Sequence, residues 1–167
     1  MNIIVVDIDG TIAKVGDRLK YLQQEKKDWD AFYEHCYEDE PIEDIIELVN
    51  TLADDNYIIF CTGRRESVRE QTMYWLRNFI TNIDWINHDL LMRKDGDYRH
   101  DTEVKPELLA KKGINPTDVW FILEDRDSMV AKWRELGYRC LQVAEVNSKA
   151  YENRRFYTVS SQLPQSW

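Results

Sequence analysis

The sequence has few of the features that mark several large protein classes. It contains only three cysteines, Cys36, Cys61 and Cys140, odd in number and far apart. They form no Cys-x-x-Cys pair and no Cys/His ligand spacing, which argues against zinc and against a disulfide framework. A reducing, cytoplasmic compartment is the simplest expectation. No run of about 18 apolar residues occurs, so no membrane span is expected. No basic leader precedes the first apolar run, so no signal peptide is expected. Cations are in the minority: 22 Lys and Arg stand against 31 Asp and Glu, a net charge of −9. That sign disfavours a protein that wraps duplex nucleic acid, whose affinity comes largely from Lys and Arg on phosphates, but it leaves room for a small basic pocket. Internal repeats and low-complexity tracts are absent. At 167 residues the chain fits one α/β domain with a full core and is short for two.

What is there begins at the N-terminus. Ile3, Ile4, Val5 and Val6 form an unbroken β-branched run that predicts a strand buried on both faces, the habit of a parallel sheet. Asp7, Asp9, Gly10 and Thr11 follow at once. Side chains two apart on an extended chain point the same way, so both carboxylates are expected to leave the strand end together. Open α/β sheets place their sites there. Two anions that close repel, and a divalent cation such as Mg²⁺ removes the conflict. The competing reading is an Asx turn with Thr11 as a helix N-cap.

The same pattern of buried run and polar strand end recurs. Tyr57 to Cys61 predicts a second buried strand ending in Thr62-Gly63-Arg64-Arg65, with a helix opening at the turn whose N-terminus favours an anion. His88 to Arg93 predicts a third, followed by a charged loop over 94–101 and a helix that starts around Lys105 and Pro106. Asp118 to Leu123 predicts a fourth, ending in Glu124-Asp125, an acidic pair that is costly after a buried run unless a cation is present. Tyr138 to Val143 predicts the last. Helices are expected from Pro41 to about Asp54, from Glu66 to Ile80 and from Ser128 to Leu136, with Asp84 to Ile86 a short linker. The segment from Arg18 to Glu40 reads as helix-prone, with Trp29, Phe32, Tyr33 and Cys36 on one stripe. Packing on the body of the domain is the first reading of that stripe, and stacking on a base is the other. The tail from Ala144 has little periodicity.

Asp7-x-Asp9-Gly10-Thr11, Thr62-Gly63-Arg64, Lys105 and Glu124-Asp125, in that order at strand ends, resemble the four motifs of the haloacid dehalogenase-like phosphohydrolases. A closer resemblance runs through Arg18, Thr62 to Arg64, Met92-Arg93, Gly96 to Arg99, Asp101, Val104-Lys105, Glu124 to Arg126 and on to Val143-Ala144. It is to the 3′-phosphatase domain of phage-type polynucleotide kinase–phosphatases. The resemblance implies an α/β fold with a Rossmann-like, doubly wound parallel sheet over residues 1–145, a small helical cap insertion at 15–40, and a C-terminal extension at 146–167. It implies Asp7 as nucleophile, Asp9 as general acid and base, and Thr62 and Lys105 on the phosphoryl oxygens. Mg²⁺ is then expected on Asp7, Asp125 and the backbone carbonyl of Asp9, and the substrate on Arg18, Gly63, Arg64, Arg93, Asp101 and Glu124. The implied activity is phosphomonoester hydrolysis through an aspartyl-phosphate, on a nucleotide or a 3′-phosphorylated nucleic-acid end, in the host cytoplasm if the gene is a phage's. A nucleotidase of free mononucleotides is the alternative, and a catalytically silent scaffold is the alternative of another class. Two departures stand out. No Gly-x-x-x-x-Gly-Lys-Ser/Thr occurs, so kinase activity is not expected. The family's Asp-Asp is here Glu124-Asp125.

Overall fold

The computed structural model describes residues 1–85 and 88–144 of the chain. Five strands make one parallel sheet in the order β5-β4-β1-β6-β7: β1 (Ile3–Val6), β4 (Tyr57–Arg65), β5 (Asp89–Arg93), β6 (Val119–Glu124) and β7 (Cys140–Gln142). The chain builds outward from β1 on one side, then returns to build on the other. The order therefore reverses beside β1, and the carboxyl ends of β1, β4 and β6 open a crevice there. A short antiparallel pair, β2 (Ala13–Lys14) with β3 (Glu40–Pro41), stands apart from this sheet.

Alternation along the central strands divides the core. Ile4, Val6, Ile58 and Phe60 face one side, where they meet Val49 of α2 (Glu43–Ala53) and Trp75 and Leu76 of α3 (Arg69–Phe79). Val5, Ile59 and Cys61 face the other, packed on Leu109 of α4 (Asp101–Lys111) and Met129 and Trp133 of α5 (Asp127–Glu135). β1 is buried on both faces, so its run of four β-branched residues needs no polar alternation. Each such side chain contributes about 1.5–3 kcal/mol on burial. Truncating the fully buried Trp75 to Ala removes about 3–5 kcal/mol.

Several boundaries differ from the sequence expectations. The segment 18–40 is not one long helix. It holds a six-residue helix, α1 (Trp29–Glu34), between two short 3₁₀ turns, Asp17–Tyr21 and His35–Glu38. Only part of its aromatic stripe is inside: Phe32 and Cys36 are buried, while Trp29 is 42% exposed. β4 does not stop at Cys61 but continues through Arg65, and α3 begins only after a further 3₁₀ turn. No helix N-terminus therefore stands at Thr62. Lys105 lies one turn inside α4 rather than at its start, with Pro106 within the helix. Trp120, expected in a buried run, is 44% exposed: pairing with β1 passes from Val119 to Phe121, skipping it. Ile86 of the expected linker, residue 145 of the expected domain and the extension at 146–167 lie outside the described residues. Among the described residues no helix is long and apolar enough to cross a membrane.

Candidate active site

The crevice at the strand ends is a cavity of about 740 Å³. Asp7, one residue past β1, is buried on its floor. Lys105 donates from Nζ to Asp7 Oδ1 at 2.6 Å and to Glu124 Oε2 at 2.8 Å. Thr11 donates its hydroxyl to Asp7 Oδ2 at 3.0 Å, so it serves this carboxylate and is not a helix N-cap. Asp101 and Lys105 are four apart on α4 and so share one face of it, which turns both toward the floor.

Asp7, Glu124 and Asp125 each offer a carboxylate oxygen within 4.8 Å of the others. Glu124 and Asp125 reach this point because β6 ends beside β1. Burial is the chief influence here. It raises the Asp7 carboxyl well above its ordinary value, with Glu124 and Asp125 adding to the rise and Lys105 opposing it. Burial and the Glu124 charge push Asp125 up to about 7. Burial would lower Lys105, but the charges of Asp7 and Glu124 outweigh it and hold the ammonium on. One ammonium thus faces three acids. That excess of negative charge, offered entirely as carboxylate oxygens, suits a hard divalent cation. Gly10 is required at this spot. Its φ is +90°, and a Cβ there would lie 2.1 Å from Asp125 Oδ2.

Asp9 does not join that group. The strand ends at Val6, and the N–H groups of Thr11, Ile12 and Ala13 all turn back onto the carbonyl of Ile8, so the two-residue alternation no longer holds. Asp9 instead meets Arg64, which donates Nη2 to Oδ1 at 2.7 Å, and Arg18, also in contact with Oδ1. Burial alone would raise its carboxyl, yet the two guanidinium charges hold it well below the usual carboxylate range. Asp7 and Asp9 still line the same cavity.

Arg18, Arg64, Thr62 and Glu124, expected to touch substrate, lie behind the cavity wall, all buried. A buried guanidinium needs carboxylate partners, and Asp39 supplies the second one. It accepts from Arg18 Nε at 2.7 Å, Arg18 Nη2 at 2.6 Å and Arg64 Nη2 at 3.0 Å. Two acids and two arginines therefore alternate in a closed square. The Arg18 guanidinium also sits 4.4 Å from the Phe32 ring centroid. Thr62 accepts from the Arg64 N–H at 3.2 Å and so fixes the backbone that carries that arginine. Asp39 had no sequence signal: it sits in the acidic stretch Glu38-Asp39-Glu40 and is buried against Arg18, Arg64 and Trp75, whose indole N–H donates to its carbonyl at 2.6 Å.

Arg93, Gly63 and Asp101 do line the cavity. Arg93 donates to the carbonyls of Gly63, Asp97 and Arg99 at 3.0, 3.0 and 2.7 Å and contacts Asp101. Arg126 donates to the other Asp101 oxygen at 2.7 Å. Burial would raise Asp101, but Lys105, Arg126 and Arg93 together lower it. A Cβ on Gly63 would lie 2.6 Å from Asp101 Oδ1, so β4 and α4 approach this closely only with glycine there.

The family described as the polynucleotide kinase PNKP phosphatase domain matches residues 1–147. The chain belongs to that family. It is a hydrolase of the haloacid dehalogenase-like phosphatase class. Among solved structures, a chain of the Pnkp1/Rnl/Hen1 complex is similar over 86% of this chain and 46% of its own, at 27% identity and TM-score 0.72. A chain of the Pnkp1/Rnl/Hen1 RNA repair complex is similar over 86% and 42%, at 27% identity and TM-score 0.71. The present chain thus spans less than half the length of either. A haloacid dehalogenase-like hydrolase from Streptococcus pneumoniae shares the fold, at 14% identity over 85% of this chain and 84% of its own, with TM-score 0.56.

Proposed function

We propose that this phosphatase domain is Mg²⁺-dependent and removes the phosphate from the 3′ end of a polynucleotide. The observation that carries the reading is the buried Asp7 carboxylate, braced by Lys105 and Thr11 and grouped with Glu124 and Asp125 at a cavity wide enough for a nucleotide. The membership of two similar chains in complexes that contain Pnkp1, one of them an RNA repair complex, supports a nucleic-acid end as substrate.

Asp7 and Asp125, with the main-chain carbonyl of Asp9, would hold the metal. When bound, the ion offsets the repulsion between Asp7 and an incoming phosphate and polarises a phosphoryl oxygen. The chain's own groups do the rest. Asp7 attacks phosphorus, the bond to the 3′ oxygen breaks, and an aspartyl-phosphate forms on Asp7. Lys105 already pairs with Asp7 and Glu124, and it stabilises charge spread over the transferring group. Asp9 gives a proton to the leaving oxygen, then takes one from the water that frees Asp7. Arg18 and Arg64 keep Asp9 ionised at rest, the form that activates water. Asp9 itself lines the cavity, so the negative charge of an incoming phosphate raises its carboxyl again, and Asp9 carries a proton when the leaving group needs it. The segment 15–40, which brings Trp29, Phe32 and Tyr33 to the cavity, serves as the cap.

A substrate panel tests this. A 3′-phosphorylated oligonucleotide, a 3′-mononucleotide and a 5′-mononucleotide are compared with Mg²⁺ and with EDTA. Turnover is expected to be fastest on the oligonucleotide, to stop with EDTA and to return with Mg²⁺. Faster turnover of the 5′-mononucleotide would defeat the polynucleotide reading. Turnover of none would point to a silent scaffold.

A further inference from the structure

The cavity is larger than a phosphoryl group requires, and its lining combines charged and aromatic side chains. Asp7, Asp125 and Lys105 form the floor. Trp29, Phe32, Tyr33 and Tyr98 give the rest of its lining an aromatic character. Trp29 and Tyr33 on α1 lie nearly parallel, at 28° with ring centroids 6.1 Å apart. Trp29 keeps much of its surface open although it lines a concave site. Tyr98, in the loop after β5, lines the same cavity and is 83% exposed. Arg65, at the end of β4, has its guanidinium 5.0 Å from the Tyr33 ring centroid and 5.8 Å from that of Tyr98.

The cavity's other arginines favour a base over a second phosphate there. Arg93 already serves three carbonyls and Asp101, Arg126 holds the other Asp101 oxygen at 2.7 Å, and Arg99 is paired with Asp97 and Glu107 at 2.7 Å each. Arg65 is itself paired with Asp30 at 2.6 Å. A wall that carries the exposed Trp29 and Tyr98 rings beside cations that already have partners suits a flat, uncharged π-system. Stacking on aromatic side chains and an arginine plane is how a base is held without reading its edge.

We propose that Trp29 and Tyr33, faced by Tyr98 and Arg65, form a stacking subsite for the base of the nucleotide that carries the scissile phosphate. The subsite takes one base of any identity and requires it unpaired. It rests on the 3′-phosphatase reading given above and adds what lies beyond the phosphate. Affinity for the terminal nucleotide then comes from the ring faces more than from the backbone charges, consistent with an acidic protein.

The test compares two single-stranded 3′-phosphorylated oligonucleotides that differ only at the terminal residue, one normal and one abasic. Wild type is expected to favour the normal end by roughly tenfold or more in kcat/KM, the size of one base–aromatic stack, and mainly through KM. Trp29→Leu and Tyr98→Ala are each expected to shrink that preference by raising KM on the normal end. Tyr98 is on an exposed loop, so its variant keeps the test open if Trp29→Leu fails to fold. Equal kcat/KM on both ends by wild type would overturn the subsite while leaving the 3′-phosphatase reading intact. Absence of turnover on either end would overturn both.

Discussion

Asp39 offers the sharpest quantitative prediction. It touches no part of the cavity, yet it holds both arginines that engage Asp9, through three contacts of 2.6 to 3.0 Å. Asp39→Ala leaves two buried guanidiniums with a single carboxylate between them. Breaking one side of a buried ion pair costs about 3–5 kcal/mol. In a domain of this size 1 kcal/mol moves Tm by about 2–4 °C, so a fall of roughly 6–20 °C is expected. Asp39→Asn keeps the volume and one acceptor oxygen, and it should fall between the variant and wild type. Activity should drop as well, because Asp9 is no longer aimed. A misplacement of about 1 Å can cost on the order of a hundredfold. Thermal unfolding by circular dichroism is read for Asp39→Ala, Arg18→Met and the double variant. The double variant should be less destabilised than the sum of the two, because the second change removes a charge the first left unpaired. An Asp39→Ala variant within about 1 kcal/mol of wild type, with strictly additive effects, would refute the square of charges as a structural unit.

Two further outcomes follow from the same geometry. Gly10→Ala places a Cβ against the Asp125 carboxylate at a positive φ. It should cost about 1–3 kcal/mol in backbone strain alone. It should also abolish the gain in Tm expected of wild type with Mg²⁺, read by thermal shift; a full Mg²⁺ response by the variant would contradict the placement of Asp125. Burial pushes the Cys61 and Cys140 thiols up to about 12 because it disfavours the thiolate. Against an ordinary thiol near 8.5, that leaves roughly a thousandfold less thiolate at pH 8. The native protein should therefore resist alkylation at pH 8 and react at all three cysteines in denaturant; rapid native labelling at Cys61 would contradict its burial.

Much of this site was legible because its signals are local. A β-branched run that ends in Asp7-Ile8-Asp9-Gly10 declares a buried strand and its polar exit within a few residues. The same holds for Leu123-Glu124-Asp125. What was not legible depends on tertiary pairing. Nothing in Glu38-Asp39-Glu40 separates the buried acid from its exposed neighbours until Arg18, Arg64 and Trp75, distant in sequence, come together at Asp39. Arg18 and Arg64 carry no mark that they face an aspartate rather than a substrate. The length of β4 is hidden because a strand that passes through Gly63 has the same letters as a turn at Gly63. Trp120 looks like core by composition and is outside because the β1–β6 pairing skips one residue.

The central claim is that the Asp7 carboxylate itself becomes phosphorylated. Wild type and Asp9→Asn are quenched in acid during turnover of a 3′-phosphorylated oligonucleotide with Mg²⁺, and the protein is analysed by intact mass and peptide mapping. One phosphoryl group should appear, most abundantly in Asp9→Asn, on the peptide that contains Asp7, and it should be absent from Asp7→Asn. Undiminished hydrolysis by Asp7→Asn, or a phosphoryl group on any other peptide, would contradict the account.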